Sequence, residues 1–477
     1  MDGLECTEIM LSTIESSNSS IRLDSHFYEK KYVRLKSKLC SIPHWHLRDI
    51  VSKPIQTGHT PSMSNRAYYG GNINFIKTDN LRYNRIVGPF ADMLSKNGNT
   101  VIARTTLQPL DILTTIIGAT EEVIARTALV AQEDLPANIN QNIVQIRINP
   151  EIVSPEYISI FLNTDYGRNY MRYLSRQTEQ VNLNCSEVED VLVPKFSTTF
   201  QSSIEELVQN AYAIKRQAVD QYEGAEALLL SALKYQPLVQ IQGYLEKSFS
   251  DSFGATGRLD AEYYQPKYDE LFQLLSVLPT KRLKSVVNIV KSIEPGSEYY
   301  VDKGIPFIRV SDINKDGINI PSIRIPKTIV PSIENLYPKK DTILFSKDGS
   351  VGIAYKVEDN MEAVTSSALL HLTVKDTTKV LPDYLTLLLN SDIVKLQAER
   401  DVSGAIIQHW KPSDIERVIV PILPLKMQWL IAEKIKESFS LRRRSKQLLE
   451  NAKRAVEMAI EQGENKAMRW LQEQSEI

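Results

Sequence analysis

Short runs of β-branched and aromatic residues, bounded by Gly, Asp and Lys, occur in two parts of the chain. In residues 73–149 the runs are INFIKTDNL, DILTTIIGA and IVQIRIN. In residues 305–374 they are IPFIRVSDI, DTILFSKDGSVGIAYKV and ALLHLTV. Such runs with such boundaries are typical of strands. The pattern therefore predicts a mixed α/β region in each half of the chain.

Helical patterns follow each strand region. An apolar helix is predicted over residues 155–175 and again over 382–398, and a Val-Pro break follows each one. Beyond each break, apolar residues recur at steps of three and four, which indicates a long amphipathic helix. In the first half this stripe comprises Ile204, Leu207, Ala211, Ile214, Ala218, Tyr222, Ala225, Leu229 and Ala232. At the positions of its last four members the second half has Leu449, Ala452, Val456 and Ala459.

Two helices with equal apolar stripes need partners for those stripes, and the simplest partner of each is the other helix. Thirty helical residues would form a rod of about 45 Å. Antiparallel packing would place one domain at each end and relate the halves by a pseudo-twofold axis. The alternative is that each stripe packs on its own domain.

Short phrases of the first half recur in the second half. RLDSHFYEKKY at 22–32 returns as RLDAEYYQPKY 236 residues later. SPEYISIFLNTD and VPKFSTTFQSSIEEL return 227 residues later as LPDYLTLLLNSD and VPILPLKMQWLIAEK. We infer a tandem duplication whose first copy is longer in its variable middle. The RLD phrase is expected to start a short helix, capped by Asp24 or Asp260, that ties each domain to the long helices.

These patterns predict an α+β fold with two mixed α/β domains in tandem duplication, joined by two long antiparallel coiled-coil helices. The predicted segments are a flexible lead-in over 1–20, a first domain over 21–195, a first long helix over 196–236, a linker over 237–257, a second domain over 258–422, a second long helix over 423–465 and a C-terminal tail over 466–477.

Composition excludes several classes of protein. The 477 residues are 42% hydrophobic and 24% charged with a net charge of −2, as in ordinary globular proteins. Cys6, Cys40 and Cys185 are too scattered for a disulfide framework or a metal site. No run of eighteen apolar residues suggests a membrane span. We expect a cytoplasmic protein that binds no membrane, metal or cofactor.

No complete catalytic motif is visible. The chain has no GxxxxGK[ST] phosphate loop, and KDGSVG at 347–352 lacks the GxGxxG spacing. Asn149-Pro150 is followed by Glu151, not by the Pro-aromatic pair of DNA amino-methyltransferases. Pro382-Asp383 begins an apolar helix and lacks the acidic partner of a nuclease motif. We therefore predict a protein that is not an enzyme.

Local charge is more informative than net charge. Residues 48–104 hold eight Lys and Arg against three Asp, and residues 281–356 hold thirteen against eight acids. Each window has a net charge of +5, which suits a phosphate backbone. Both windows also contain side chains able to read base edges: Asn65, Asn84, Ser311, Asp312 and Asn314.

The order of these segments resembles the specificity (S) subunit of Type I restriction–modification systems over residues 22–465. The segments that carry the resemblance are DTILFSKDGSVG, TSSALL at 365–370, LPDYLTLLLNSD and QHWKPSDIERVIVPILPLKMQWLIAEKI. The first half departs from them at 111–119, DILTTIIGA, and at 181–184, where it reads VNLN and the second half has IIQH.

This resemblance implies two target-recognition domains that read the halves of a gapped sequence in double-stranded DNA, with the long helices as a spacer. It also implies that the helices dock two methyltransferase subunits and that endonuclease/translocase subunits join through that complex. The DNA contacts expected on this basis are Arg66, Tyr68, Lys77, Arg82, Asn84, Arg104, Lys291, Arg309, Asn314, Lys347 and Ser350. Lys77 and Arg309 are the best pair, because they follow Phe75-Ile76 and Phe307-Ile308. Gln408, His409 and Trp410 are expected to pack the second domain onto its long helix.

Three other interpretations stay open. The first is a DNA-recognition subunit of another defence or modification system. The second is a coiled-coil scaffold with duplicated domains that binds no DNA, and the third is a complete enzyme with an unrecognised site.

Overall fold

The structure is a computed structural model that describes residues 7–12, 14, 22–118, 123–177, 181–236, 246–319, 321–402 and 408–475. Its contacts divide the chain into two compact units. Unit 1 comprises residues 1–214 and 443–477, and unit 2 comprises residues 215–442. Most of the predicted lead-in, and residues 237–245 of the predicted linker, lie outside the described residues.

Helices lie between and after the strand regions of both units. In chain order they are α1 Lys30–Cys40, α2 Lys96–Val101, α3 Pro155–Asn163, α4 Asp165–Leu174, α5 Cys185–Glu189, α6 Thr198–Ala232, α7 Pro266–Ser276, α8 Leu283–Val286, α9 Pro382–Asn390, α10 Asp392–Asp401, α11 Pro412–Ile415, α12 Leu425–Gln462 and α13 Glu464–Ser475. The long helices α6 and α12 each contribute residues to both units.

The strands of unit 1 include those predicted from its β-branched runs. They are β1 His44–His46, β2 Gln56–Thr57, β3 Tyr69–Ile76, β4 Leu81–Arg82, β5 Arg85–Ile86, β6 Met93–Leu94, β7 Ile112–Thr115, β8 Ile117–Gly118, β9 Thr127–Leu129, β10 Ala137–Ile139, β11 Ile143–Ile146, β12 Arg176–Gln177, β13 Val181–Asn182 and β14 Leu192–Pro194. They form sheets of order β2-β11-β7-β9, β10-β3-β6 and β12-β13-β8, with the pairs β1-β14 and β4-β5.

Unit 2 has a matching set of strands. They are β15 Thr280–Arg282, β16 Val287–Lys291, β17 Ile305–Ile308, β18 Ile313–Asn314, β19 Gly317–Ile318, β20 Arg324–Ile325, β21 Ile343–Ser346, β22 Ala354–Lys356, β23 Val364–Thr365, β24 Leu369–Val374 and β25 Ile419–Pro421. Their sheets have the orders β16-β24-β21-β22 and β20-β17-β23, with the pairs β15-β25 and β18-β19. The prediction of mixed α/β structure in both halves is confirmed.

Buried side chains make the same hydrogen bonds in the two units. The Tyr157 hydroxyl donates to the carbonyl oxygen of Pro194 at 2.7 Å. In unit 2 the Tyr384 hydroxyl donates to that of Pro421 at 2.9 Å. Both prolines end a strand that pairs antiparallel with the first strand of its unit, β1 or β15. The two bonds therefore fix α3 and α9 on equivalent strand pairs.

Buried amides repeat the correspondence. Asn163 Nδ2 donates to the carbonyl oxygens of Thr127 and Ser159, at 3.1 and 2.9 Å. The equivalent atom of Asn390 donates to the carbonyl oxygens of Ala354 and Thr386, at 2.8 and 3.1 Å. Each asparagine thereby joins the end of its helix to the edge strand of the four-stranded sheet. Gln201 and Gln428 form a second matched pair, each bonding the backbone before α3 or α9 to the turn before its long helix.

The repeated RLD phrase forms a local clamp. Arg22 donates to both carboxylate oxygens of Asp24 at 2.8 and 2.9 Å, and to the carbonyl oxygen of Leu174 at the end of α4. Arg258 makes the same pair of bonds to Asp260, at 2.8 and 2.6 Å, and donates to a carbonyl oxygen at the end of α10. The hydrogen bond from Arg22 lowers the pKa of Asp24. These bonds tie each phrase to the end of α4 or α10, and not to the long helices as expected.

In unit 1 the first part of α6 and the last part of α12 share one core. Ile204 and Val208 are buried in the same cluster as Ala452 and Val456, together with residues of α3 and α4. The Ser445 hydroxyl donates to the carbonyl oxygen of Ala211 at 2.7 Å. Side chains as small as alanine and serine allow this close approach of two helix backbones.

In unit 2 the remaining parts of the same helices pack together. Tyr222 and Ala225 are buried with Ile431 and Ile435 in one cluster that also holds residues of β21 and α9. The Ser438 hydroxyl donates to the carbonyl oxygen of Ala218 at 2.6 Å, and Lys434 donates to Gln221 at 3.0 Å. Rising residue numbers in α6 thus meet falling numbers in α12, so the two helices run antiparallel here.

Three predicted segments differ from the structure. The apolar helix predicted over 155–175 is divided into α3 and α4, because Thr164 has extended backbone and its hydroxyl caps Gly167 N at 3.0 Å. Ser391 also has extended backbone and divides α9 from α10, but its hydroxyl does not cap α10 and donates instead to the carbonyl oxygen of Leu388 at 2.6 Å. The predicted tail lies mostly in α13, which follows Gly463 and buries Ala467 and Leu471 in the core of unit 1.

Candidate nucleic-acid interface

Lys77 and Arg309 occupy the same position in their units, as the sequence predicted. β3 pairs parallel with β10, β17 pairs parallel with β23, and each cation directly follows its strand. The backbone N–H of Lys77 donates to Asn80 Oδ1 at 3.0 Å, and that of Arg309 donates to Asp312 Oδ2 at 2.8 Å. A short 3₁₀ turn follows each cation. The turns fix the backbone from which the two cationic side chains project.

Both cations are half-exposed and lie near one carboxylate. The Lys77 ammonium is paired with Asp92 and lies 5.7 Å from the centroid of the Phe75 ring. Arg309 Nε lies 3.7 Å from Asp312, and 40% of the Arg309 side chain is exposed. The Lys77–Asp92 pair is partly exposed, so water screens it and it stabilises the fold little. The Asp312 partner of Arg309 is largely buried, and the exposed part of the Arg309 side chain is what an anionic ligand could reach.

A two-strand hairpin follows each of these turns. In unit 1 it is β4-β5, with Arg82 opposite Arg85, and in unit 2 it is β18-β19, with Asn314 opposite Gly317. Asn84 occupies the left-handed region at φ 59°, and its N–H donates to the carbonyl oxygen of Thr127 at 2.8 Å. Asn314 Oδ1 accepts from Asp316 N at 2.8 Å. Asn84 thus shapes one turn through its backbone, and Asn314 shapes the other through its side chain.

Arg66 and Tyr68 lie in a 3₁₀ helix, Arg66–Tyr68, that is capped by Asn65. Arg66 is exposed and Tyr68 is half-buried. A Cβ at Gly98 in α2 would lie 2.1 Å from the Tyr68 carbonyl oxygen, so α2 packs directly on this turn only because residue 98 is glycine. Arg104 is exposed at the end of the segment that follows α2.

In unit 2, Lys291 ends β16 and is exposed, and Ser350 is exposed in the turn after β21. Lys347 differs from the other predicted contacts. Only 11% of its side chain is exposed, and its ammonium is paired with Asp348. The structure therefore places Lys347 inside the fold rather than on the surface predicted for it.

Trp410 is buried in the core of unit 2, and its packing onto the long helix stays a prediction. It is 1% exposed, and its ring centroid lies 5.7 Å from that of Phe345 in β21. His409 Nδ1 lies 2.9 Å from Asp348, which joins this segment to the loop of Lys347. Gln408 accepts a backbone bond from Gly349 at 3.0 Å.

The backbone register corrects the alignment of the two halves at this segment. Leu183 N donates to the carbonyl oxygen of Ile116 at 2.9 Å, just as Trp410 N donates to that of Lys347 at 2.8 Å. VNLN at 181–184 therefore corresponds to Gln408–Lys411 and not to IIQH. Lys347 accordingly corresponds to Ile116, so the cation is a feature of unit 2 alone.

Sequence reasoning missed the arginines that the fold brings to the β4-β5 hairpin. Arg168 in α4 lies 3.9 Å from the centroid of the Tyr83 ring and donates to the Tyr83 hydroxyl at 2.9 Å. Arg126 directly precedes β9, which packs beside the hairpin. Arg85 lies inside the basic window but is not among the predicted contacts. For Arg126 and Arg168 no local signal existed, because only the tertiary fold places them near residue 83.

Within the described residues, no group of three or more His, Cys, Asp or Glu is arranged to hold a metal ion. Cys40 and Cys185 are free thiols. No described helix has the length and apolarity needed to cross a bilayer.

A protein-family model matches part of the second half of the chain. Residues 279–451 match the model described as "Type I restriction modification DNA specificity domain". This stretch contains all the strands of unit 2, and the resemblance predicted from the sequence is confirmed there. Comparison with curated protein sequences gave no match.

Solved structures with similarity to the chain include three from Type I systems. The S subunit of a Type I restriction–modification system from M. genitalium is 12% identical, with a TM-score of 0.37, over 88% of this chain and 94% of that one. The HsdS subunit from Thermoanaerobacter tengcongensis is 17% identical, with a TM-score of 0.29, over 88% and 97%. A chain from a study of complex assembly and conformational transition of the type I R-M system has the same identity and TM-score, over 89% and 98%. Similarity this low adds nothing to the family match.

Proposed function

We propose that this chain, whose residues 279–451 form a Type I restriction modification DNA specificity domain, is the sequence-recognition subunit of a Type I restriction–modification complex. The match of unit 2 to this family carries the proposal. Unit 1 repeats the framework hydrogen bonds of unit 2 at Tyr157, Asn163 and Gln201. Unit 1 is accordingly a second domain of the same kind, and the chain is a tandem duplication.

Two non-identical reading domains would recognise a bipartite, asymmetric DNA site. Helices α6 and α12 act as the spacer between the half-sites and form an antiparallel coiled coil. The bonds from Ser445 to Ala211 and from Ser438 to Ala218 support a pseudo-twofold relation, because each exchanges the roles of positions 227 residues apart. Such reciprocal contacts are the mark of a twofold axis.

The half-exposed cations after β3 and β17 are the central DNA contacts of the proposal. Lys77 would contact one half-site and Arg309 the other. A guanidinium can bind both acceptors of a guanine edge, whereas an ammonium binds as a point charge. The surrounding loops would supply the remaining contacts: Arg66, Tyr68, Arg82, Asn84, Arg104, Lys291, Asn314 and Ser350.

Methylation and cleavage would be performed by other subunits. The long helices would dock two methyltransferase subunits, and endonuclease/translocase subunits would join through that complex. Chemistry on a base in a duplex requires base flipping and a catalytic pocket. We assign that pocket to the methyltransferase, and we place the complex in the cytoplasm.

The test is co-expression with a methyltransferase subunit, taken from a neighbouring reading frame where one is found, followed by mapping of methylated bases across a genome. We expect one gapped, asymmetric motif. Methylation without a defined motif would contradict the proposal, and co-expression of the methyltransferase alone is the control. A second test removes seven residues from α6 and seven from α12, which shortens each helix by about 10 Å. The tolerated gap should then shrink by about three base pairs.

The alternative with a different biology is a DNA-recognition subunit of another defence or modification system. It shares the binding chemistry and differs in the enzyme that co-purifies. A scaffold that binds no DNA would be distinguished by the absence of any salt-dependent binding to duplex DNA.

A further inference from the structure

A buried carboxylate in unit 1 holds an arginine that directly follows strand β11. The carboxylate belongs to Asp111, which directly precedes β7 and is 1% exposed. It accepts from Arg147 Nε and Nη2 at 2.6 and 2.8 Å. It also accepts from Gln108 N at 2.8 Å and from Gln145 Nε2 at 2.6 Å. Four donors therefore fix the carboxylate, and the carboxylate in turn fixes the plane of the guanidinium.

The guanidinium of Arg147 has donors that Asp111 does not use. A guanidinium carries five N–H donors in one plane, and a carboxylate bound at Nε and Nη2 engages two of them. Arg147 Nη1 is accessible and makes no hydrogen bond to any described residue, and 25% of the Arg147 side chain is exposed. The part of the guanidinium that faces away from Asp111 can therefore bind a ligand.

Two further cations belong to the same network. Lys53 Nζ donates to Gln145 Oε1 at 2.7 Å, so the buried amide of Gln145 joins Lys53 to Asp111. Gln56 Nε2 donates to the carbonyl oxygen of Arg104 at 2.9 Å and lies 3.4 Å from Gln145 Oε1. Lys53 is half-buried and Arg104 is exposed. Two amide side chains thus connect a lysine and the backbone of an arginine to one buried carboxylate.

The positive charges of this network exceed the negative ones. Among the described residues, the only ion pair that the three cations form is that of Arg147 with Asp111. Burial, and then the charge of Arg147, hold the pKa of Lys53 below its ordinary value. Asp111 opposes this effect, and the charge of Arg104 adds to it. An anion bound among the three cations would relieve their repulsion.

Unit 2 has different side chains at the positions of the network. The strand pairings and the equivalent turns before β7 and β21 align these positions. At the positions of Arg104, Asp111, Gln145 and Arg147, unit 2 has Asn335, Thr342, His371 and Thr373 in that order. Lys53 has no direct counterpart, because residues 52–55 are matched in unit 2 by residues 288–289 alone.

Unit 2 does have cations at neighbouring positions. They are Lys291, Lys339, Lys340 and Lys375, at the positions of Thr57, Gln108, Pro109 and Asn149. None of these four positions contributes a side chain to the network of unit 1. The contrast between the units is therefore in the network itself, not in the presence of cations nearby.

We infer that Lys53, Arg104 and Arg147 form a phosphate-binding site that holds the DNA backbone on unit 1. The accessible part of the Arg147 guanidinium would donate to a phosphate oxygen, and Lys53 would bind as a point charge. Asp111 and Gln145 are positioning residues, which orient these cations and do not contact DNA. The inference rests on the proposed function, because it takes duplex DNA as the ligand. It adds Lys53 and Arg147 to the contacts of unit 1 and assigns them to phosphates rather than to bases.

The experiment measures the affinity of the full chain for a fluorescent 30-base-pair duplex of mixed sequence between 50 and 200 mM NaCl. The first test variant is Lys53→Gln, and Lys53→Arg is its charge-preserving counterpart. The second test variant combines Arg147→Gln with Asp111→Asn, which keeps the net charge and leaves no buried carboxylate without its cation. Arg34→Gln is the matched control, since it removes one exposed cation of α1 that has no part in the network.

Each phosphate contact contributes about 0.9 to the slope of log affinity against log salt. We expect Lys53→Gln and the double variant each to lower the slope by about 0.9 and the affinity at 100 mM salt by about fivefold. Lys53→Arg should keep the wild-type slope, because a phosphate accepts either cation. Arg34→Gln should keep it as well.

A wild-type slope in Lys53→Gln or in the double variant overturns the inference. So does an equal loss in Arg34→Gln, because the slope would then report only the overall charge of the chain, or an equal loss in Lys53→Arg. A slope that falls only together with the midpoint of urea unfolding indicates a structural role and overturns it too. If the double variant does not fold, Lys53→Gln decides alone. A wild-type chain without salt-dependent binding would instead overturn the proposed function.

Discussion

Units 1 and 2 have matching framework hydrogen bonds, but each unit stabilises its buried polar groups with different partners. Glu156 and Asp383 occupy corresponding positions in the first turns of α3 and α9. Glu156 accepts from Ser154 at 3.0 Å and from Gln209 at 3.1 Å. Asp383 instead lies 2.9 Å from the ammonium of Lys356, which also contacts Glu358 at 3.1 Å. The same backbone thus accepts a buried carboxylate held by neutral donors or by a cation.

One inner strand of each four-stranded sheet, β11 or β24, differs in the same way. In β11, Gln145 is buried and donates to Asp111 at 2.6 Å. In β24 the corresponding residue is His371, which lies 2.8 Å from the Thr365 hydroxyl. Burial lowers the pKa of His371 to about 4. The shared framework therefore fixes which positions are buried, while the polar side chains at those positions and their partners differ between the units.

The largest predicted effect is that of Lys356→Leu, which puts the unit 1 residue, Leu129, into unit 2. Although burial disfavours its charge, Asp383 and Glu358 raise the pKa of Lys356, so the ammonium is charged at neutral pH. Its loss would leave Asp383 buried without a cation. We expect the free energy of unfolding to fall by about 3–5 kcal/mol, measured by urea denaturation.

The control for this prediction is Lys356→Leu combined with Asp383→Leu. Replacing both members of a buried pair is often neutral. If the double variant is as unstable as the single one, packing rather than charge explains the loss.

The second prediction concerns pH. His371 titrates near 6.5 in the unfolded chain and near 4 in the folded one, so the unfolded state takes up the proton first as pH falls. Stability is therefore complete above about pH 6.5 and is lost between there and pH 4. At pH 5 the loss is about 2 kcal/mol. His371→Gln, which copies unit 1, should remove this contribution. Equal pH dependence in both proteins, measured by urea unfolding at pH 7 and pH 5, would contradict the assignment.

The third prediction compares the two central cations. Arg309→Ala should relax sequence preference at one half-site by roughly tenfold, and Lys77→Ala should affect only the other half-site. Methylation of a library with single changes in each half-site measures both effects. Equal loss at both half-sites would mean that the cation contacts backbone or supports the fold.

The smallest predicted effects are those of Ser445→Ala and Ser438→Ala. Each removes one buried hydrogen bond to a helix carbonyl, at a cost of about 0.5–1.5 kcal/mol in the free energy of unfolding. The proposed pseudo-twofold relation predicts equal costs in unit 1 and unit 2. Costs that differ by more than about 1 kcal/mol would argue against equivalent environments.

Much of the framework was predictable from local patterns. Ile343–Ser346 and Leu369–Val374 are strands where β-branched runs indicated them, and the long helices follow the apolar stripe. The breaks at Thr164 and Ser391 were not predicted, because both residues interrupt an apolar pattern that continues past them. A Thr-Asp or Ser-Asp pair is itself a capping signal, and it was outweighed by periodicity.

The site was less predictable than the fold. The equivalent positions of Lys77 and Arg309 were predictable, because the same Phe-Ile pair precedes both residues. Lys347 was expected on a surface, but its burial depends on Asp348 and on a strand pairing with residue 409. The arginines around Tyr83 come from three separate segments, so only long-range packing reveals that they meet.

The two-part composition of unit 1 has a consequence for synthesis. Its core needs Ala452 and Val456, which the ribosome adds only after the whole of unit 2. At about 5–20 residues per second, residues 215–442 take roughly 10–50 s to synthesise. Throughout that time the apolar side of the first part of α6, including Ile204 and Val208, lacks the helix that covers it. Unit 1, whose synthesis begins first, is thus completed last. Its incomplete apolar core is exposed to aggregation while unit 2 is synthesised.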